Sequence, residues 1–240
     1  MKKIITFETI RSFAYVNTSV CKHPVRGIVI NFNGLNNKDM YDEDTNEGVY
    51  YGNEGVLYVS PYNNPWSWMN AQAVAYTDEI VEVLFKHLDL PEDTPVVSMG
   101  QSMGGLASLV YCRYSSRTPV ACVANCPVCD LVYHFTERPD LPRTIYSAFW
   151  NEEGELNDIL KKYSPLHLAA EMPKIRYYIF HCDKDRSVNL ELHSGRFVEE
   201  MHKQGHDIEM YIIPDRGHCK LTFEAQDKKL RLALDAIIKE

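Results

Sequence analysis

No apolar run in this 240-residue chain approaches the roughly 20 residues that a membrane helix requires. The N-terminal stretch MKKIITFETI opens with two lysines, but Glu8 breaks its apolar part, so the sequence predicts no secretory signal. Positive charge is scarce: 25 Lys and Arg stand against 33 Asp and Glu, a net charge of −8. With no clustered basic stretch, neither a nucleic-acid surface nor a membrane is an expected partner. The cysteines do not make a disulfide framework. There are seven, an odd number, scattered at Cys21, Cys112, Cys122, Cys126, Cys129, Cys182 and Cys219. Most lie in or beside apolar runs, where reduced thiols pack as small hydrophobes, and the expectation is a cytoplasmic protein. Cys126 and Cys129 have no second pair to complete a zinc site, and their setting is not that of a redox motif, so a reduced structural pair is expected. Internal repeats and low-complexity segments are also missing.

What is present is an ordinary globular composition, 45% hydrophobic and 24% charged, in a length that suits one domain over residues 1–240. Strand-like runs recur at 4–7, 12–20, 27–32, 56–60, 96–99, 120–124, 177–181 and 208–213. Several are almost wholly apolar, as strands covered on both faces are. The first two lie close enough to pair antiparallel. Helical spacing of apolar residues marks 71–88, 103–114, 190–203 and 221–238. This alternation predicts an α/β fold with a mostly parallel sheet of about eight strands and right-handed crossovers. Two segments break the rhythm. Residues 130–173, rich in proline and aromatics, are too long for a simple connection and read as a lid-like insertion or substrate wall. Residues 36–54 are acidic and Asn-rich and read as a solvated loop. An ion site at Asp39, Asp42, Glu43 and Asp44 is the weaker alternative, because the spacing matches no known loop.

At Val96–Gly105 the chain reads VVSMGQSMGG, a serine bracketed by glycines where a strand meets a helix. A hydroxyl is a poor nucleophile at neutral pH and needs a base and a rigid, exposed perch. A sharp strand-to-helix turn supplies the perch, with glycine two residues before and after it to avoid collision. The turn also aims the Met103 N–H and the positive end of the helix at a developing oxyanion. Ser102 is therefore a candidate nucleophile. Its partners are expected later in the chain, first an acid and then a histidine. Asp183 and Asp185 both follow the strand-like run at 177–181. His218 follows the run at 208–213 and stands beside Gly217, a placement that His181 and His206 lack.

With these residues in place, the chain resembles the α/β-hydrolase superfamily from about Gly27 onward, and its C-terminal half is similar to the prolyl-oligopeptidase-like and dienelactone-hydrolase-like esterases. The segment KYSPLHLAAEMPKIRYYIFHCDKDRSVNLELHSGRFVEEMHKQGHDIEMYIIPDRGHC follows their order of Ser-Pro, a Pro-led strand, His-Gly-x-x-Asp-x-x-Val, helix, strand and Gly-His. The resemblance implies a single α/β-hydrolase domain and selects Asp185 as the acid, with Cys182 where the family usually has glycine. It also implies a second oxyanion donor after an early strand. There Asn33-Gly34-Leu35 stands where the family often has His-Gly, which makes Leu35 N–H, or Gly34 N–H beside it, the candidate.

Asn33, Tyr62, Trp66, Trp68, Gln101 and Trp150 are candidate substrate-wall residues, since aromatic faces beside amides suit sugars or aryl esters. Phe149 beside Trp150 would form the opposite wall. The expected activity is hydrolysis of small carboxylic esters through an acyl-enzyme, with acyl or aryl esters of carbohydrates among the candidates and no metal or cofactor required. A peptidase is the alternative, weakened because a propeller domain of the kind common in that branch does not fit ahead of Gly27. A hydrolase-like binding protein without turnover is the alternative of another class, weakened because no triad member is missing. Self-association as a homo-oligomer is left open.

Overall fold

The computed structural model describes residues 5–238. Seven strands form one sheet: β1 (Ala14–Val16), β2 (Gly27–Phe32), β3 (Val56–Pro61), β4 (Val96–Gln101), β5 (Ala121–Asn125), β6 (Arg176–Cys182) and β7 (Asp207–Ile213), in the order β1-β3-β2-β4-β5-β6-β7. All neighbours are parallel except β1, which runs antiparallel to β3 with Ala14 opposite Pro61. Side chains alternate between faces, as strand geometry requires. Ile28 and Ile30 of β2 enter one core, and Val29 enters the other.

Helices cover both faces. On the Ile28 side lie α2 (Ala71–His87) and α3 (Met103–Tyr114), together with α4 (Leu131–Glu137), α5 (Leu141–Phe149) and α6 (Leu156–Lys162). On the Val29 side lie α1 (Asn46–Asn53) and α9 (Phe223–Ile238). The short α7 (Pro165–Leu168) and α8 (Arg196–Lys203) close a third cluster against β5 and β6, where Tyr177, Ile179 and Phe197 are fully buried.

Four expectations change. The strand expected at 4–7 is absent at 5–7, and Ile4 lies outside the described residues. There Thr6 and Thr9 close a turn, Thr6 N–H donating to Thr9 Oγ1 at 3.0 Å, and Phe7 stacks on His87 with ring centroids 3.7 Å apart. The sheet therefore has seven strands rather than about eight, and the antiparallel pair is β1 with β3. The run at 12–20 keeps only three strand residues, because Asn17 turns the chain: its carbonyl accepts from Val20 and Cys21 N–H, and its side chain bridges Tyr58 N and Gly48 O at 2.7 Å each. The segment 36–54 is not all loop. Thr45 Oγ1 accepts from Gly48 N–H at 3.0 Å and caps α1. Asp44, one of the acids grouped there, is already held by Tyr15 Oη–H and Ser19 Oγ–H. The helix expected at 190–203 opens with a π-helical turn over Glu191–Gly195, Gly195 N–H donating to Leu190 O at 2.8 Å, before α8 begins.

The insertion at 130–173 is a helical layer with its own anchors. Leu131, Leu141, Ile145 and Leu160 are wholly buried in the core that α2 and α3 share. Only its first helix, α4, reaches the carboxyl edge of the sheet at Ser102.

Candidate active site

The sequence elements that the turn at Ser102 requires are all used. Ser102 has φ 58° and ψ −123°, a conformation that L-residues rarely adopt. A Cβ at Gly100 would lie 2.1 Å from Gly104 O, and one at Gly104 would lie 2.0 Å from Phe32 O. The helix behind can press this closely on β2 only because both positions lack a side chain. The turn is held from both sides: Ser102 N–H donates to Asn125 O at 2.9 Å, and Ser102 O accepts from Leu106 N–H at 3.1 Å.

Three side chains from distant parts of the sequence form a row at the carboxyl edge of the sheet, where open parallel sheets bind their ligands. Ser102 Oγ–H donates to His218 Nε2 at 2.8 Å, and His218 Nδ1–H donates to Asp185 Oδ2 at 2.6 Å. The other carboxylate oxygen, Oδ1, accepts from the N–H groups of Ser187 and Val188 at 2.8 and 3.0 Å. Of the two competing aspartates, Asp183 instead pairs with Lys184 at the surface. Burial alone would push the Asp185 carboxyl up. Hydrogen bonds from His181, His218 and the two amides outweigh it and hold the group well below the usual carboxylate range. Burial pushes His218 down, but its bond to Asp185 prevails, with a smaller contribution from contact with Cys126, and raises the imidazole from 6.5 to about 9. Contact with Cys219, then burial, pushes the Cys126 thiol up, so it stays neutral, and Asp185 carries the charge that acts on His218.

The oxyanion candidates surround the same hydroxyl. Met103 opens α3, so its N–H has no partner within the helix. Gly34 packs against the elbow: a Cβ there would sit 3.8 Å from Ser102 Cβ. Asn37 N–H donates to Gly34 O at 3.3 Å across Leu35 and Asn36, and Asn36 has φ 66°. This is a type II turn with Leu35 at its first corner.

A cleft of about 300 Å³ opens over Ser102 and His218, walled by Leu35, Trp68, Gln101, His134, Arg138 and Val188. Of the six expected wall residues, Trp68 and Gln101 line this cleft. Asn33 lies beside it in an adjoining cavity and donates to Ser60 Oγ at 3.2 Å. Tyr62 and Trp66 wall a separate cavity of about 490 Å³ over α2 that does not include Ser102. Trp150 is 67% exposed and lines none of these spaces, while Phe149 is buried in the core. The amphipathic register of α5 explains both: it turns Phe149 inward and leaves the next residue outside.

The sequence reading missed three features. His181, wholly buried, is bonded to Ser194 Oγ at 2.7 Å and Val188 O at 3.1 Å and stands 3.5 Å from Asp185 Oδ2, backing the acid from behind. Its place in the His-x-x-x-Asp pattern was the available signal. His134 of α4 and Arg138, just past its end, reach the cleft. His134 Nδ1–H donates to Glu137 Oε2 at 2.6 Å, and His193 Nε2–H donates to the same oxygen at 2.9 Å. The His193 tautomer is fixed, because its Nδ1 accepts from the N–H groups of Cys129 and Asp130. Burial alone would raise Glu137, yet the two histidines hold it down to about 2. Cys219 Sγ lies 3.5 Å from His218 Nε2. All seven cysteines are free thiols, Cys126 and Cys129 among them. Cys126, His218 and Cys219 come within metal-ligand reach of one another, as do Cys126, His181 and Asp185, and His134, Glu137 and His193. Their imidazoles and carboxylates are already engaged in the hydrogen bonds above.

No curated protein matches the chain significantly. Solved structures do. The apo form of Thermogutta terrifontis esterase 2 superposes with a TM-score of 0.67 at 18% identity, covering 94% of this chain and 88% of that one. Its propionate-bound form gives 0.65 at 20% identity, with the same coverage. Esterase PE8 gives 0.59 at 15% identity, covering 89% of this chain and 94% of that one. These likenesses establish the α/β-hydrolase fold. The profile of the Prolyl oligopeptidase family matches residues 76–236, well over half of the sequence, from within α2 through most of α9. The chain therefore belongs to the prolyl oligopeptidase family and is a serine hydrolase of the α/β-hydrolase type.

Proposed function

We propose that the chain hydrolyses small carboxylic esters through an acyl-enzyme, with Ser102 as nucleophile, His218 as general base and then acid, and Asp185 as the group that orients and charges His218. The observation that carries this reading is the continuous row Ser102 Oγ–His218 Nε2 and His218 Nδ1–Asp185 Oδ2, at 2.8 and 2.6 Å, below an open cleft. His218 takes the hydroxyl proton as Ser102 Oγ attacks the ester carbonyl. The developing oxyanion is met by Met103 N–H and by Leu35 N–H, with Gly34 N–H beside it; each such donor is worth about 3 kcal/mol in the transition state. His218 then protonates the departing alcohol, and a water, deprotonated by the same imidazole, releases the acid. Leu35, Trp68 and Val188 offer a short apolar surface for the acyl group. The esterase names of the structural neighbours favour esters, whereas the family name favours the second reading, a peptidase.

A panel of p-nitrophenyl esters of increasing acyl length, run beside acetylated sugars, feruloyl esters and aminoacyl-proline amides, separates the two. The proposal expects turnover of short-chain esters that Ser102→Ala abolishes. Full activity of Ser102→Ala on the best substrate would refute the assignment, and preferential cleavage of the prolyl amides would favour the peptidase.

A further inference from the structure

Helix α9 buries a stripe at four-residue spacing: Ala225, Lys229, Ala233 and Ile237. Three members pack as expected for the inward face of an amphipathic helix. Lys229 does not belong on that face. It is only 7% exposed, and among the described residues its ammonium makes no hydrogen bond or ion pair. A buried ammonium without a partner weakens the fold unless a bound group supplies one. Its Nζ is not sealed in: among the described residues, the buried side-chain polar atoms lacking a partner are Arg113 Nε, Asn125 Oδ1 and His206 Nδ1. Lys229 Nζ therefore reaches open space, and the space it lines is a cavity of about 330 Å³ at the carboxyl ends of β2, β3 and β4.

That cavity is polar nearly all round. Asn33 and Gln101 come from the strand ends, Asp39 and Glu47 from the segment leading through α1, and Gln226 and Lys229 from α9. Burial pushes Lys229 below the ordinary lysine range, and Glu47, too far away for an ion pair, only partly offsets it. A hydroxyl group suits such walls, because one oxygen can accept from the ammonium while its hydrogen goes to a carboxylate or carboxamide oxygen. An anion suits them less, since Asp39 and Glu47 together outnumber the single cation. The cavity also adjoins the reacting atoms. Gln101 walls both it and the cleft over Ser102, and Asn33 precedes Gly34, which packs on Ser102.

We infer that this cavity is the subsite for a hydroxyl-rich alcohol part, a neutral sugar or similar polyol, with Lys229 as a binding residue and the acyl group lying in the cleft over Ser102. This assignment rests on the esterase reading and narrows it from esters in general to acylated polyols. It also relocates the sugar contacts from the aromatic residues around Trp66 to an amide-lined and charged cavity on the other face of the sheet.

Binding is tested without turnover in the full-length Ser102→Ala protein, by saturation-transfer NMR with methyl xyloside, methyl glucoside and glucuronate as probes. The inference expects transfer to the ring protons of the neutral glycosides and its loss when Lys229→Met or, separately, Glu47→Gln is added. In the active enzyme, the KM for an acetylated methyl xyloside should rise about tenfold relative to that for p-nitrophenyl acetate in Lys229→Met, the scale of one hydrogen bond to a charged group. Lys229→Met should melt no lower than the parent, since an unpaired buried charge is removed, so a lost signal is not an unfolded protein. Absence of transfer from every glycoside, equal transfer in both added variants, or transfer from glucuronate alone would overturn the inference. Glycoside binding in a protein that turns over no ester would instead count against the esterase reading and leave the subsite standing.

Discussion

Replacing Asp185 with asparagine removes the one charge that faces His218 Nδ1, at 2.6 Å and in full burial. In the native site the imidazole is raised from 6.5 to about 9 against the opposing effect of burial, and about 1.4 kcal/mol accompanies each pKa unit, so the site favours imidazolium by roughly 3 kcal/mol net, with the bond to Asp185 the largest favourable contribution. In the proposed mechanism the same imidazolium forms as Ser102 gives up its proton, so the transition state should lose a comparable amount. That corresponds to a fall in kcat/KM of a hundredfold to a thousandfold, extending toward ~10⁴ where the amide also misdirects the ring tautomer. The pH profile carries the sign. The proposed reaction needs neutral His218, so kcat/KM of the native enzyme should climb as pH rises through about 9. In Asp185→Asn that limb should move down toward 6.5, because the cation has lost its partner. Initial rates on p-nitrophenyl acetate from pH 5 to 10, corrected for spontaneous hydrolysis, measure both quantities. An unshifted limb, or a loss of less than about tenfold, would refute the role given to Asp185.

Three further substitutions probe the surroundings. Leu35→Pro keeps the type II corner, where proline is favoured, and deletes the N–H assigned to the oxyanion, so kcat should drop by about 10²–10³ with little change in Tm; an unchanged kcat would move the donor to Gly34. Gly104→Ala places a methyl 2.0 Å from Phe32 O, and should cost about 1–3 kcal/mol or more in urea unfolding and most of the activity, whereas native-like stability would contradict the close packing described for the elbow. Glu137→Ala strands His134 and His193 in the wall between α4 and the acid loop; a loss of about 3 kcal/mol by denaturant titration is expected, and a neutral result would show that the network contributes little.

The parts of the site legible in the sequence are those whose chemistry is local. A serine between glycines at the end of a strand needs no tertiary information, and β2, β4 and α3 fall at or within one or two residues of their expected bounds because their apolar runs are long and bounded by turn residues. What escaped reading was set by contacts between distant segments. The strand expected at 4–7 is apolar enough in sequence, but Thr6 and Thr9 close a turn there and Phe7 finds His87. Asn17 ends β1 by bonding to Tyr58 and Gly48, residues some 30 to 40 positions away. Trp66 and Trp68 read alike in sequence, yet Trp68 is buried in the core, its indole N–H donating to Thr144 Oγ1 at 3.2 Å, and walls the cleft from within, while Trp66 faces a neighbouring cavity. Nothing in the sequence singled out His134, within the insertion at 130–173, or Lys229, within the helical pattern at 221–238. Only the packing of α4 and α9 against the sheet edge reveals that one walls the cleft and that the other is a buried cation facing a cavity.

The most direct test of the account is to react the protein with a fluorophosphonate at pH 9, digest it, and locate the adduct by mass spectrometry. The account predicts a single phosphonylated peptide spanning the elbow, with the mass increase on Ser102 and none in His218→Ala. A protein that stays unlabelled, or an adduct on a different serine, would contradict it.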